Sequence, residues 1–148
     1  MSTYLSHSKA HFDYEILDTY EAGLVLFGYE VKSIRQKRGK LEGAHVIVRG
    51  KEAFLVGLNI NLYQPANTPK SYNPERVRKL LLSKKELAEL ERSTETQGLT
   101  AIPLRLYNNG RNIKVEIAIA RGKKKVDKRN VIKDRETKRT IDRILKNQ

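Results

Sequence analysis

Apolar positions in this chain fall into short runs, most at a spacing of two, separated by polar or glycine-containing breaks. The clearest run lies late. Ile113, Val115, Ile117 and Ile119 alternate with Lys114, Glu116, Ala118 and Ala120, which puts one row inside a sheet and leaves the other free for a partner. This predicts a strand over Arg111 to Ala120, joined through Asn108-Asn109-Gly110 to a strand over Leu99 to Tyr107, since Asn and Gly reach left-handed backbone cheaply. Pro103 has no N–H to donate, which demotes its strand to an edge or bulged position.

Upstream, Tyr14 to Thr19 and Glu21 to Phe27 predict two strands, and the second carries enough apolar residues (Ala22, Leu24, Val25, Leu26, Phe27) to be buried on both faces. Val31 and Ile34, three apart, predict a short helix over Glu30 to Arg35, followed by a basic loop over Gln36 to Gly43. His45 to Arg49 and Ala53 to Ile60 flank Gly50-Lys51-Glu52 as a hairpin would. Asn61 to Glu75 holds three of the four prolines and predicts an irregular excursion. Ser83 and Glu86 form a capping box for a helix over Lys84 to Gln97, with Leu87 and Leu90 on its apolar face and Gly98 placed to end it.

Six or so short strands with two brief helices predict a mainly β fold: a small closed or partly closed antiparallel barrel with short peripheral helices, and the oligonucleotide-binding type is the commonest such barrel among nucleic-acid proteins. After Gly122 the pattern changes, and the sizeable apolar residues of 123–148 are only Val126, Val131, Ile132, Ile141, Ile144 and Leu145. So charged a segment buries too little to offset its ordering entropy. Its mixed charges, and Ile141, Ile144 and Leu145 at helical spacing, nevertheless favour a helix. The expected organisation is a barrel domain over 1–122 and a basic tail over 123–148, disordered when free and helical when docked.

Charge sharpens that division. The 148 residues carry a net charge of +13, a surplus that attracts polyanions. Arg121 to Gln148 holds twelve basic and four acidic residues, so +8 of it sits in the tail and the two residues that lead into it. There are no cysteines, which excludes disulfides, thiolate nucleophiles and thiolate metal sites and fits a cytoplasmic setting. The N-terminus lacks the apolar core of a signal peptide and no stretch is long enough to span a membrane, so no membrane association is expected.

Candidate enzyme chemistry is sparse. His7 and His11 lie four apart with no third ligand nearby and read as solvated, His45 stands alone, and Glu86, Glu89 and Glu91 read as a solvated helix face. No phosphate-binding glycine loop or nucleophile elbow occurs, so no catalytic residue, metal or cofactor is expected. Basic residues instead collect beside predicted β-surface: Lys32, Arg35, Lys37, Arg38 and Lys40, then Arg76, Arg78 and Lys79. Phosphate contacts from these, with Tyr20, Tyr29, Tyr63, Tyr72 and Tyr107 stacking on unpaired bases, would make an RNA-binding surface.

Four blocks carry a more specific resemblance. Tyr20-Glu21-Ala22-Gly23, Gly28-Tyr29-Glu30-Val31-Lys32-Ser33-Ile34-Arg35, Arg78-Lys79-Leu80-Leu81-Leu82, and Ala120-Arg121-Gly122-Lys123-Lys124 with Asp127-Lys128-Arg129 resemble, in order and spacing, the signature of the SmpB family of SsrA-binding proteins. The resemblance implies a protein that binds the tRNA-like domain of tmRNA (SsrA RNA) and brings it to stalled bacterial ribosomes for trans-translation. Elongation factor Tu and alanyl-tRNA synthetase would be met through tmRNA, and a monomer is expected. Carried over by position, Glu21, Leu81, Ser83 and Lys114 match barrel positions linked to tmRNA, with Lys32, Arg35, Arg78 and Lys79 as further RNA contacts. Arg121, Gly122, Lys123, Lys124, Asp127, Lys128 and Arg129, with Ile144 and Leu145, match a tail that occupies the small-subunit decoding centre and empty mRNA channel.

In physical terms Lys114, on the polar face of the best strand, can reach phosphate, whereas Leu81 is expected to buttress the core and Glu21 to orient an arginine or accept from a base or ribose hydroxyl. Two positions depart from the family pattern. Ser83 stands where Asn is frequent, keeping a cap but losing an amide's paired donor and acceptor, and Val126 stands where His or an aromatic is frequent. Two alternatives remain, a ribosomal or other structural RNA-binding barrel protein with a basic extension, and a nuclease built on the barrel.

Overall fold

The computed structural model describes residues 2–61 and 71–123. Among the described residues nine strands and three helices follow one another: β1 Thr3–Ser6, α1 Ala10–Asp13, β2 Tyr14–Leu24, α2 Gly28–Arg35, β3 Gly39–Lys40, β4 His45–Arg49, β5 Glu52–Val56, β6 Asn59–Ile60, β7 Arg78–Leu81, α3 Lys84–Glu95, β8 Leu99–Asn109 and β9 Asn112–Gly122. Hydrogen bonding runs β8-β4-β5-β7-β2-β9 and returns from β9 to β8, so six antiparallel strands close a ring, with β1 attached outside it on β8. The chain is thus the expected small barrel, and β3 and β6 form a separate two-stranded ladder.

Inward-facing residues fill the ring. Ala22, Leu24, Val46, Leu55, Leu80, Leu106, Val115 and Ile117 form one continuous core, to which α2 contributes Ile34 and α3 contributes Leu90. The capping box forms as the sequence predicts: the Ser83 hydroxyl accepts from the Glu86 N–H at 3.2 Å, while Glu86 accepts from the Ser83 N–H and hydroxyl. Helix α3 ends at Glu95, two residues short of the expected limit, with Thr96 as its C-cap.

Several expectations are corrected. Tyr14 to Leu24 is one strand, with a bulge between Ile16 and Asp18. The chain leaves the barrel after Leu24, so Val25 and Phe27, expected inside, are about half exposed. Phe27 instead precedes α2, with the Arg76 guanidinium 4.0 Å above its ring. The polar N-terminal stretch gives β1, paired to β8 with Leu5 in the core. Pro103 does lie at a bulge, but β8 is no edge: its outer side is shared between β4 at Ala101 and β1 at Arg105 to Tyr107.

The outer row of β9 is only partly free. Lys114 and Glu116 are half-buried, whereas Ala118 and Ala120 are buried under α1, where Ala10 joins Ile102 in a small second cluster. Small side chains on both elements let the helix lie close to the sheet. The β8–β9 turn is Gly110-Arg111, since Asn109 pairs with Asn112, and Asn108 and Asn109 belong to the strand.

Candidate nucleic-acid interface

Register decides which side chains meet on the barrel's outside. Tyr107 pairs with Lys114, Lys114 with Gly23, and Gly23 with Leu81, giving one row across β8, β9, β2 and β7. The next row runs Arg105, Glu116, Glu21. Glu21, Leu81 and Lys114, far apart in sequence, therefore share one outer face. A groove of about 200 Å³ opens there, lined by Gly23, Leu24, Leu26, Val31, Leu81, Asn112, Ile113 and Lys114. Gly23 keeps it open, for a Cβ there would sit 3.2 Å from the Leu81 Cβ.

Leu81 is 54% exposed and Leu80 is the residue in the core, which corrects the expectation that Leu81 buttresses the interior. It offers an apolar surface in the groove that Lys114 also lines. Glu21 accepts from the Tyr107 hydroxyl and, at 3.2 Å, from the Asn109 amide. The Tyr107 bond holds its carboxyl below the ordinary range against a smaller opposing effect of burial, helped by Asn109 and the charges of Lys114 and Arg105. Glu21 is thus a fixed acceptor with one oxygen engaged by phenol and an exposed outer side, suited to a base amine or ribose hydroxyl.

Tyr107 itself is buried, with the Arg105 guanidinium 4.2 Å from its ring centre. Burial and the neighbouring Glu21 raise its phenol well above the usual range, so it stays a donor. It supports Glu21 and has no free face for base stacking. Tyr20 donates to Glu89 at 3.2 Å, Tyr72 donates to Glu30 at 3.0 Å, and Tyr29 packs edge-on against Tyr72. Tyr63 lies outside the described residues.

Arg78 is the plainest correction. It is 0% exposed, with Nε and Nη2 donating to Glu30 Oε2 at 3.0 and 2.6 Å, Nη2 also to the Pro74 carbonyl at 3.0 Å, and Nη1 to the Leu58 carbonyl. Arg76 donates to the same carboxylate. Burial alone would push the Glu30 carboxyl up, but the Arg76, Phe27 N–H and Arg78 bonds together outweigh it and hold it low. This cluster ties residues 72–78 to α2; Arg78 is structural and presents nothing to phosphate.

The remaining barrel candidates surround the groove. Lys32 and Arg35 are exposed on α2, whose Val31 lines the groove, and Arg35 reaches the Arg111 carbonyl at 3.5 Å beside the β8–β9 turn. Lys79 projects outward on β7 in an exposed pair with Glu52 at 3.0 Å. Ser83 is exposed, its hydroxyl engaged in the cap. Arg105, Asn109, Gly23 and Glu116 were missed as neighbours of the site. Placing the turn at Gly110-Arg111 rather than at Asn108-Asn109-Gly110 would have set Tyr107 opposite Lys114 and revealed them.

The junction candidates lie elsewhere. Arg121 and Gly122 close β9 opposite Glu15 and Tyr14, seven residues from Lys114, about 23 Å along an extended strand. Lys123 is fastened to α1, its N–H donating to the Asp13 carbonyl at 2.9 Å and its Nζ to the His11 carbonyl at 2.8 Å. A Cβ at Gly122 would meet nothing within 4 Å, so space does not demand glycine there. Lys124, Asp127, Lys128, Arg129, Ile144 and Leu145 lie outside the described residues. Among the described residues no group of three or more His, Asp or Glu could hold a metal, and no helix is long and apolar enough to cross a membrane.

Comparison with known proteins agrees over nearly the whole chain. An SsrA-binding protein of Syntrophobacter fumaroxidans is 47% identical over 140 residues, covering 95% of this chain and 86% of that one. One of Thermosipho africanus is 46% identical over 147 residues, covering 99% and 98%. A chain from a solved structure described as "tmRNA-SmpB: a journey to the center of the bacterial ribosome" superposes with a TM-score of 0.70 at 39% identity, covering 88% of this chain and 95% of that one. The profile of the SmpB protein family matches residues 4–147, and the chain belongs to that family.

Proposed function

We infer that this protein binds the tRNA-like domain of tmRNA and delivers it to stalled bacterial ribosomes for trans-translation. The observation that carries the reading is the family match over residues 4–147 together with the convergence of Glu21, Leu81 and Lys114 on one outer face. That face suits an irregular RNA surface. Lys114 supplies a phosphate contact, Leu81 an apolar contact to a base or sugar, and Glu21 an acceptor for a base amine or ribose hydroxyl. Lys32, Arg35 and Lys79 add cations around it. The protein makes and breaks no bond in this reading, and works in the cytoplasm as an adaptor.

Work is divided between the barrel, 1–122, and the basic tail, 123–148. The barrel holds tmRNA; Arg121 to Lys123 aim the tail, and Lys124, Asp127, Lys128, Arg129, Ile144 and Leu145 engage the decoding centre and empty mRNA channel of the small subunit. Elongation factor Tu and alanyl-tRNA synthetase are met through tmRNA. A gel shift of labelled tRNA-like domain against ordinary tRNA, at several salt concentrations, tests the partner: the former should bind far more tightly. Equal affinity for both RNAs would refute it. Truncation after Gly122 should leave that binding nearly intact while tagging of stalled chains collapses.

A further inference from the structure

A second groove adjoins the first across Leu81, which lines both. It is open, about 300 Å³ in volume, and Lys51, Glu52, Lys79, Lys84 and Leu87 form its other principal walls. Three cations from three elements converge there: Lys51 from the β4–β5 turn, Lys79 from β7 and Lys84 from the first turn of α3. The single carboxylate, Glu52, holds Lys79 in a pair with both side chains about half exposed. Such a pair contributes little in water and is readily exchanged for another anion.

Backbone geometry at Lys51 is the second observation. Gly50 and Lys51 have φ of +58° and +62° and join strands whose closing pair is Arg49 and Glu52. Both central residues of this two-residue turn are left-handed, a conformation that Gly, Asn and Asp adopt easily and that a lysine Cβ disfavours. A strained residue is a pointer to function where its side chain faces a ligand surface. Here the strained lysine lines a cationic groove.

We propose that the groove of Lys51, Lys79 and Lys84 carries an RNA phosphodiester backbone, continuing the Lys114 face past Leu81 onto β5 and α3. The proposal rests on the reading of that face as RNA-binding. A strand whose phosphate meets Lys114 and whose sugar or base lies on Leu81 enters the second groove directly, and its next phosphates displace Glu52 from Lys79. Leu81 and Leu87 give the groove an apolar floor over which sugars pass.

The test uses the full chain and a transcript of the tmRNA tRNA-like domain, with dissociation constants measured between about 50 and 200 mM salt. Lys51→Gly removes the cation and relieves the strained backbone, so its melting temperature should equal or exceed that of the parent, showing the fold intact. Its salt slope should fall by about 0.7–0.9, one phosphate contact, and that of Lys51→Gly/Lys84→Gln by about 1.5. An unchanged slope in the double variant overturns the proposal. Lys114→Ala separates the two levels: if it weakens binding while the double variant does not, only the second groove fails, and if neither matters the RNA-binding face itself is misplaced.

Discussion

Glu30 and Arg78 meet inside the protein, with Arg78 Nε and Nη2 at 3.0 and 2.6 Å from one carboxylate oxygen and neither side chain exposed. Two charges stripped of water are tolerated because each is hydrogen-bonded several times over: Arg78 also reaches the Leu58 and Pro74 carbonyls, and Glu30 also accepts from Arg76, Tyr72 and the Phe27 N–H. The pair fixes where the chain re-enters the barrel as β7. It thereby sets the position of Leu81, three residues on.

Removing one partner leaves the other buried without its counter-charge. Arg78→Ala should cost about 3–5 kcal/mol. Arg76, 23% exposed against the same carboxylate, should cost about 1 kcal/mol on the same change, as a partly solvated pair does. Urea unfolding of the two variants measures the difference. Equal losses would show that burial does not govern this cluster.

Acid should loosen the same cluster. The folded Glu30 pKa is held below its ordinary value, so the unfolded chain binds the proton more readily. Its stabilisation is therefore complete above the unfolded carboxyl value of about 4.3 and is lost as pH falls through the lower folded value. At the other end Tyr72, raised to about 12 by burial and by Glu30, contributes in full below about 10 and loses its contribution as pH rises through about 12. Thermal midpoints between pH 2 and 7, as an order-of-magnitude range for acid unfolding, should fall less steeply in Glu30→Gln than in the parent. Parallel curves would exclude Glu30 as a principal contributor.

Adjacent leucines should behave oppositely. Leu80 lies in the core at 3% exposure, so Leu80→Ala should cost about 2–5 kcal/mol of stability. Leu81→Ala, on the surface, should change stability by no more than about 0.5 kcal/mol while weakening tRNA-like-domain binding roughly 5-fold, the equivalent of about 1 kcal/mol of apolar contact. Denaturation and gel-shift titration of both variants decide the assignment. A stable Leu81→Ala protein with undiminished affinity would remove Leu81 from the interface.

Local chemistry was legible in the sequence, and facing was legible only where polarity alternates. Ser83 and Glu86 form their capping box, and Ile113 to Ile117 take the inner face, because three-residue and two-residue spacings settle those matters without the rest of the chain. Arg78-Lys79-Leu80-Leu81-Leu82 does not alternate by polarity, so its phase depends on pairing with β2 and β5. A shift of one residue exchanges the two faces. That phase puts an arginine inside and a leucine outside, against residue preference, because Glu30, far away in the sequence, supplies the buried partner for Arg78. β1 was unreadable for a similar reason: Thr3–Ser6 has no pattern of its own and becomes a strand by adding to β8.

Ring closure has a consequence for synthesis. β2 is bonded to β9 from Tyr14 against Gly122 to Gly23 against Lys114, so one of the first strands made must wait for the last before its edge is covered. Until then a long strand with unpaired N–H and C=O groups is open to the wrong neighbour. The β8–β9 hairpin forms from adjacent sequence and delivers that partner in one step. Residues late in the barrel thus govern when the nascent chain stops being vulnerable to aggregation, and slow or interrupted translation before Gly122 would leave β2 without its mate.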